Sequence, residues 1–218
     1  MKKFLPLLLL ALLLSGCDAD ANNRVDINQD AGQILPVSAL SIDRCAGGFQ
    51  MTVESIRQDS LDGDVSPGYF TVQAADFPAL FDRADELLAS RLYLSHAQVI
   101  LVSQSVAQND LPALVDSLLA RPDARLTLRI AVAQGATPDE LLRAEALTEG
   151  IPGMALAALL DKRASDGSLA DSPLFRILDC LCSGQALSLP VLTPNLDGHT
   201  APGGSLALPP FTGGDSHA

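Results

Sequence analysis

Three histidines, at 96, 199 and 217, are the only imidazole bases in the 218-residue chain. Nucleophilic catalysis needs such a base within hydrogen-bond reach of its nucleophile. His199 and His217 fall in a Pro- and Gly-rich C-terminal stretch without periodicity. His96 directly precedes an apolar run and has Ser95 beside it, but adjacent residues of an extended chain point to opposite sides, so the two are not a nucleophile and its base. A histidine at that place is expected to satisfy backbone groups or to pack at a strand end. The chain contains no G-x-S-x-G, P-loop, G-x-G-x-x-G or H-E-x-x-H pattern.

The four cysteines are Cys17, Cys45, Cys180 and Cys182. Cys180 and Cys182 stand two apart in a predicted helix, so their side chains diverge and do not readily share one metal. Zinc with His199 as a further ligand is the one metal arrangement left open, and a disulfide from Cys45 to one of the pair would leave a thiol over. The simpler reading is buried or idle thiols, with no metal and no cofactor. Among the 26 acidic residues, Asp59, Asp62 and Asp64 suggest calcium, but the twelfth position counted from Asp59 is Phe70, not the Glu of an EF-hand loop. Asp85-Glu86 and Asp139-Glu140 read as solvating residues and helix-dipole partners. Composition and motifs thus favour a tethered binding or assembly protein over an enzyme.

The tether is read from the first residues. Lys2 and Lys3 precede an apolar run over residues 4–14, and residues 1–16 read as a secretory signal too short to stay as a membrane span. Its ending, Leu14-Ser15-Gly16-Cys17, resembles a bacterial lipobox, in which the cysteine becomes the mature N-terminus and carries diacylglycerol on its sulfur. Each buried acyl methylene contributes about 0.8 kcal/mol, so two or three chains hold a protein on a membrane where one lets it leave. The formal net charge is −12, and both signal lysines are lost on cleavage, which leaves the remainder more acidic and makes nucleic acid an unsuitable partner. With no second long apolar run, the body is expected outside the cytoplasmic membrane, tethered at one end.

Residues 17–33 are polar and read as a flexible tether. Residues 37–43 and 49–56 read as a hairpin turned by Cys45-Ala46-Gly47-Gly48, the second strand alternating Phe49, Met51 and Val53 with outward Gln50, Thr52 and Glu54. After an acidic loop, residues 69–74 form a third strand. A helix capped by Asp76 follows, with Phe77, Leu80, Phe81, Ala84, Leu87, Leu88 and Leu92 on its core-facing stripe. Residues 98–102 are apolar on both faces, as a strand covered on both sides must be. A second helix is expected with Asp110 as cap, then a strand over 126–132 half open to solvent, where Thr127, Arg129 and Ala131 alternate with apolar residues.

Thr137 and Glu140 form a capping box for a short helix. Helices over 154–162 and 173–182 follow, the latter capped by Ser172 and stopped by Gly184. Residues 187–192 read as an edge strand, since Pro190 is tolerated there. The expected architecture is α+β: a mixed sheet, with an antiparallel hairpin, parallel β-α-β-α-β crossovers and covering helices. The body spans 34–192, and residues 193–218 read as a tail unable to fold by itself.

The order of features resembles the N-terminal domain of the spore germinant-receptor C-subunit family, the Ger(x)C lipoproteins. The likeness rests on the lipobox, Asn22-Asn23-Arg24-Val25-Asp26, LPVSALSIDRCAGGFQMTVESI and LASRLYLSHAQVILVSQSVAQNDLPALVDSLLARPDARLT. Arg24 matches the arginine that follows the anchor in that family, and Ile42-Asp43 matches the end of its "alGID" strand. His96 matches the histidine of "r.lylgHlkvlvige", and Arg121-Pro122-Asp123 a shortened "fl.Rdpe.r" helix end. Ser41 and Ser95 stand where the family has glycine. The resemblance implies a lipoprotein subunit at the outer face of the cytoplasmic, or spore inner, membrane. It assembles with an A subunit and a transporter-like B subunit, and it carries no catalytic residue. Arg24, Asp43, His96 and Arg121 are then structural or interface residues. Family members continue into further C-terminal domains, so the 193–218 tail reads as the start of a missing one. The rivals are an extracytoplasmic solute-binding lipoprotein, which needs two lobes and a cleft, and a hydrolase, which needs a base other than His96.

Overall fold

The computed structural model describes residues 34–58, 65–88, 91–145, 147 and 150–211. β1 (Ile34–Cys45) turns antiparallel onto β2 (Gly48–Gln58). Gly48 takes a φ of 135°, and a Cβ there would stand 2.4 Å from the Ala74 carbonyl oxygen, so the turn needs glycine. β3 (Val65–Ala74) pairs antiparallel with the far side of β2. α1 (Phe77–Leu87) starts at Asp76, whose carboxylate accepts the Ala79 N–H at 2.8 Å, and it buries Phe77, Leu80, Phe81 and Ala84. β4 (Arg91–Tyr93) pairs with the start of β1, and a 3-10 turn over Leu94–His96 leads into β5 (Val99–Ser103).

β5 lies in the middle of the sheet, parallel to both β1 and β6 (Arg129–Ala133). Ile100 and Val102 enter one apolar cluster, Val99 and Leu101 another. Successive strand side chains leave on opposite faces, so a strand apolar at every position requires cover on both. One face is covered by α1, α3 (Leu111–Leu119) and α6 (Leu174–Ser183), through Leu80, Leu114, Leu118 and Ile177 among others. The other is covered by α4 (Pro138–Arg143) and α5 (Pro152–Ser165), through Leu141, Leu142, Leu156 and Leu160. The eight-stranded mixed sheet runs β3-β2-β1-β5-β6-β7-β8, with β4 beside β1, which is the α+β arrangement expected.

Several local expectations are corrected. β6 is buried on both faces, because Ala131 and Ala133 on the presumed open side pack against α4 and α5. Alanine fits either environment, so alternation there misled. β7 (Leu187–Pro194) is interior rather than an edge. Its parallel pairing with β6 begins at Val191, just past Pro190, so the missing N–H is tolerated. The supposed tail contains β8 (Thr200–Leu208), the true edge on that side. Pro202, Gly203 and Gly204 hid it, but an edge strand tolerates proline, and a Cβ on Gly203 would stand 2.5 Å from Thr193 Cγ2.

The cap assignments also change. A short helix, α2 (Gln104–Asn109), capped by Ser103, precedes α3. Asp110 stands at the cap position of α3 without a side-chain cap bond, because its carboxylate takes both arms of Arg44 instead. Ser172 does not cap α6; its hydroxyl donates to the Ile130 carbonyl at 2.7 Å. The Thr137–Glu140 capping box and the left-handed Gly184 stop of α6 are present as expected.

Candidate functional site

The residues singled out by sequence fall at opposite ends of the sheet. Asp43 follows Ile42, which pairs with Val102 near the C-terminal end of β5, and its carboxylate accepts the Arg44 N–H at 2.7 Å. His96 lies three residues ahead of β5, exposed, its ring centroid 5.8 Å from that of Tyr93. Ser95 does not face it; the Ser95 hydroxyl donates to the Asp123 carbonyl at 3.1 Å. Cys17 and Arg24 lie outside the described residues. Cys45, Cys180 and Cys182 are free thiols, and Cys180, Cys182 and His199 do not gather into a metal-binding group.

Arg121 joins the His96 segment to two helices. Its guanidinium donates to the Leu92 carbonyl at 3.0 Å, pairs with Asp85 at 3.5 Å and with Asp123 at 3.3 Å, and lies over the Phe81 ring at 5.1 Å. The two carboxylates it pairs with also accept backbone N–H groups of the strand and turn before His96, Asp85 from Leu92 at 2.7 Å and Asp123 from Leu94 at 2.8 Å. Asp85, expected to face water, is therefore a buried-side tie. A planar guanidinium can serve two carboxylates and a carbonyl together, which a lysine ammonium does less well. This node fixes the segment 92–96 against the ends of α1 and α3. A polar recess lined by His96, Gln98, Arg125, Thr127 and Arg129 opens beside it.

A second cluster escaped sequence reading. Glu54, expected to point outward from β2, has no exposed surface. A bulge between Val37 and Ala39 leaves Ser38 as the extra residue of β1 opposite it. Glu54 Oε1 accepts the Ser38 hydroxyl at 2.6 Å and the Gly153 N–H at 2.8 Å, and Oε2 accepts the Tyr69 hydroxyl at 2.8 Å. Gly153 is in the first turn of α5, whose cap position is Ile151 with no side-chain cap bond, so a strand carboxylate supplies the missing acceptor. A Cβ on Gly153 would lie 2.5 Å from both Ala39 Cβ and Glu54 Oε1. Burial pushes the Glu54 carboxyl above its ordinary range, against the lowering effect of Ser38, Tyr69 and Gly153. Tyr69 is also pushed up, first by burial and then by the Glu54 charge. The only early sign of such a site was the pair of charged and hydroxyl residues on neighbouring strands, Glu54 and Tyr69; nothing pointed to Gly153.

An apolar cavity of about 140 Å³ lies between α4, α5 and the β7–β8 turn, lined by Leu141, Pro152, Ala155, Leu156, Leu159 and His199 among others. His199 Nδ1 stands 3.0 Å from the Glu145 carbonyl oxygen at its rim.

The segments that carry Arg121, His96 and the Glu54 cluster all lie within residues 29–194, which match the family model for the spore germination protein N-terminal domain. The chain belongs to that family. The germination-family match runs through β7 and stops ahead of β8. No curated protein and no solved structure matches the chain. No helix among the described residues is long and apolar enough to cross a membrane.

Proposed function

We propose that this chain is a C subunit, working as a lipid-anchored assembly component of a spore nutrient-germinant receptor. In this reading residues 1–16 are removed, Cys17 carries the lipid, residues 17–33 form the tether, and the α/β body stands at the outer face of the cytoplasmic or spore inner membrane. The observation that carries it is the family match over residues 29–194 together with Leu14-Ser15-Gly16-Cys17 at the end of an apolar leader. Its partners are the receptor A and B subunits, and it acts by holding them in place, with no catalytic residue of its own.

The end of the body that bears His96 is the docking face that fits this role best. There the Arg121 node makes the backbone of residues 92–96 rigid while leaving the His96 ring and Arg125 exposed. Rigid presentation limits the entropy lost when a partner binds. Asp43 and Arg24 are assigned supporting roles, Asp43 at the end of β1 and Arg24 in the segment ahead of it.

Metabolic labelling with a radioactive fatty acid tests the anchor. Label is expected on the wild-type chain and absent from Cys17→Ala; equal labelling of both, or of neither, contradicts it. A solute-binding lipoprotein needs two lobes, whereas the described residues form one sheet covered by helices.

A further inference from the structure

Glu54 is the only acidic or basic side chain among the described residues that is buried outright. Its three partners, the Ser38 hydroxyl, the Tyr69 hydroxyl and the Gly153 N–H, are all neutral donors. The charged groups nearest the cluster belong to α4. Arg143 lies on the Tyr69 ring, 4.6 Å from its centroid, and is itself held by Asp139 at 2.8 Å. From β1 the cluster receives only the Ser38 hydroxyl, from β3 only Tyr69, and from α5 the peptide N–H at the positive end of the helix. The first turn of α5 is the lid of this site, since the Gly153 backbone closes over Oε1 with no room for a side chain.

We propose that Glu54 makes docking of the α5 N-terminal turn onto β1 and β2 proton-linked: with the carboxyl neutral the turn is held down, and ionisation favours a raised turn that admits water. A neutral carboxyl closes the pattern without loss. Its Oε1–H donates to Ser38 Oγ, whose own proton goes to the Glu54 backbone carbonyl 3.1 Å away, and the Gly153 N–H keeps a lone pair on Oε1. An ionised carboxylate keeps the same donors but is sealed from water without a cation, which is costly. The upward push on the Glu54 carboxyl by burial agrees with this direction. Pro152, Ala155 and Leu156, in and just after that turn, also wall the apolar cavity, so the proton that seats the turn also shapes the cavity.

The test is hydrogen exchange on the full chain, read as protection factors corrected for intrinsic rates, at pH 5 and pH 8. Amides of Gly153, Met154 and Ala155 are expected to lose protection by a factor of about three or more at the higher pH, while Leu114, Val115 and Leu118 of α3 hold theirs. Glu54→Gln should abolish the difference. Tyr69→Phe removes a donor that favours the ionised form, so it should move the transition to higher pH. An unchanged pH response in Glu54→Gln, an unmoved midpoint in Tyr69→Phe, or α5 and α3 losing protection in step would each overturn the proposal.

Discussion

The Arg121 node and the Glu54 cluster both draw carboxylates out of water, but different partners satisfy them. Asp85 and Asp123 share a guanidinium lying between them and each also accepts a backbone N–H, so a cation inside the node offsets part of their charge. Glu54 meets only hydroxyls and a peptide N–H, so a charge there is solvated by dipoles alone. The first arrangement suits a part that must keep one shape, the second a part whose docking can respond to its surroundings. They also sit on different faces of the sheet. Arg121 ties the side packed by α1 and α3, and Glu54 ties the side packed by α5.

The sharpest way to break the comparison is Arg121→Ala. It leaves two largely buried carboxylates without a cation, and a loss of about 3–5 kcal/mol in denaturant-measured stability is expected. Arg121→Lys should recover only part of it, because one ammonium cannot reproduce the several directed bonds. A loss under about 1 kcal/mol for the alanine variant would mean that the node is an ordinary surface network.

Gly153→Ala comes next. Its Cβ would enter 2.5 Å from Ala39 Cβ and Glu54 Oε1, and overpacking of this kind costs about 1–3 kcal/mol. Thermal unfolding of the variant measures it. Stability equal to wild type would show that α5 is not seated as closely as Glu54 requires.

The smallest effect at any one pH, and the most informative, is that of Glu54→Gln. The native Glu54 pKa is raised above its ordinary value near 4.5, so the folded state holds the proton more tightly than the unfolded chain. Its stabilising contribution is therefore complete below the ordinary value and is lost as pH rises through the native one. Wild type minus Glu54→Gln, followed by urea denaturation across pH, should fall with rising pH and then level. A difference that grows with pH would mean a depressed native value and a carboxylate comfortable in its charge.

The two clusters also differ in how far the sequence betrays them. The Arg121 node draws on two blocks, 91–96 and 121–123, whose residues are distinctive side by side, although Asp85 of α1 was expected to face water, and the apolar run of β5 shows at once that both faces of the sheet are covered. Alternation in β2 correctly turned Met51 and Val53 inward, but it could not say what lies over the opposite face. There α5 closes over Glu54, and its contact through Gly153 is 99 positions away in the chain. Ala131 and Ala133 in β6 and the glycines of β8 failed for a related reason. Small residues carry no sign of the environment that tertiary packing assigns them.

Affinity purification of the tagged full chain from detergent-solubilised spore membranes tests the assembly role most directly. The account predicts that the wild-type chain is found in the membrane fraction and brings down receptor A and B subunits, and that Cys17→Ala shifts it to the soluble fraction. A wild-type chain recovered in the soluble fraction with neither subunit bound would contradict it.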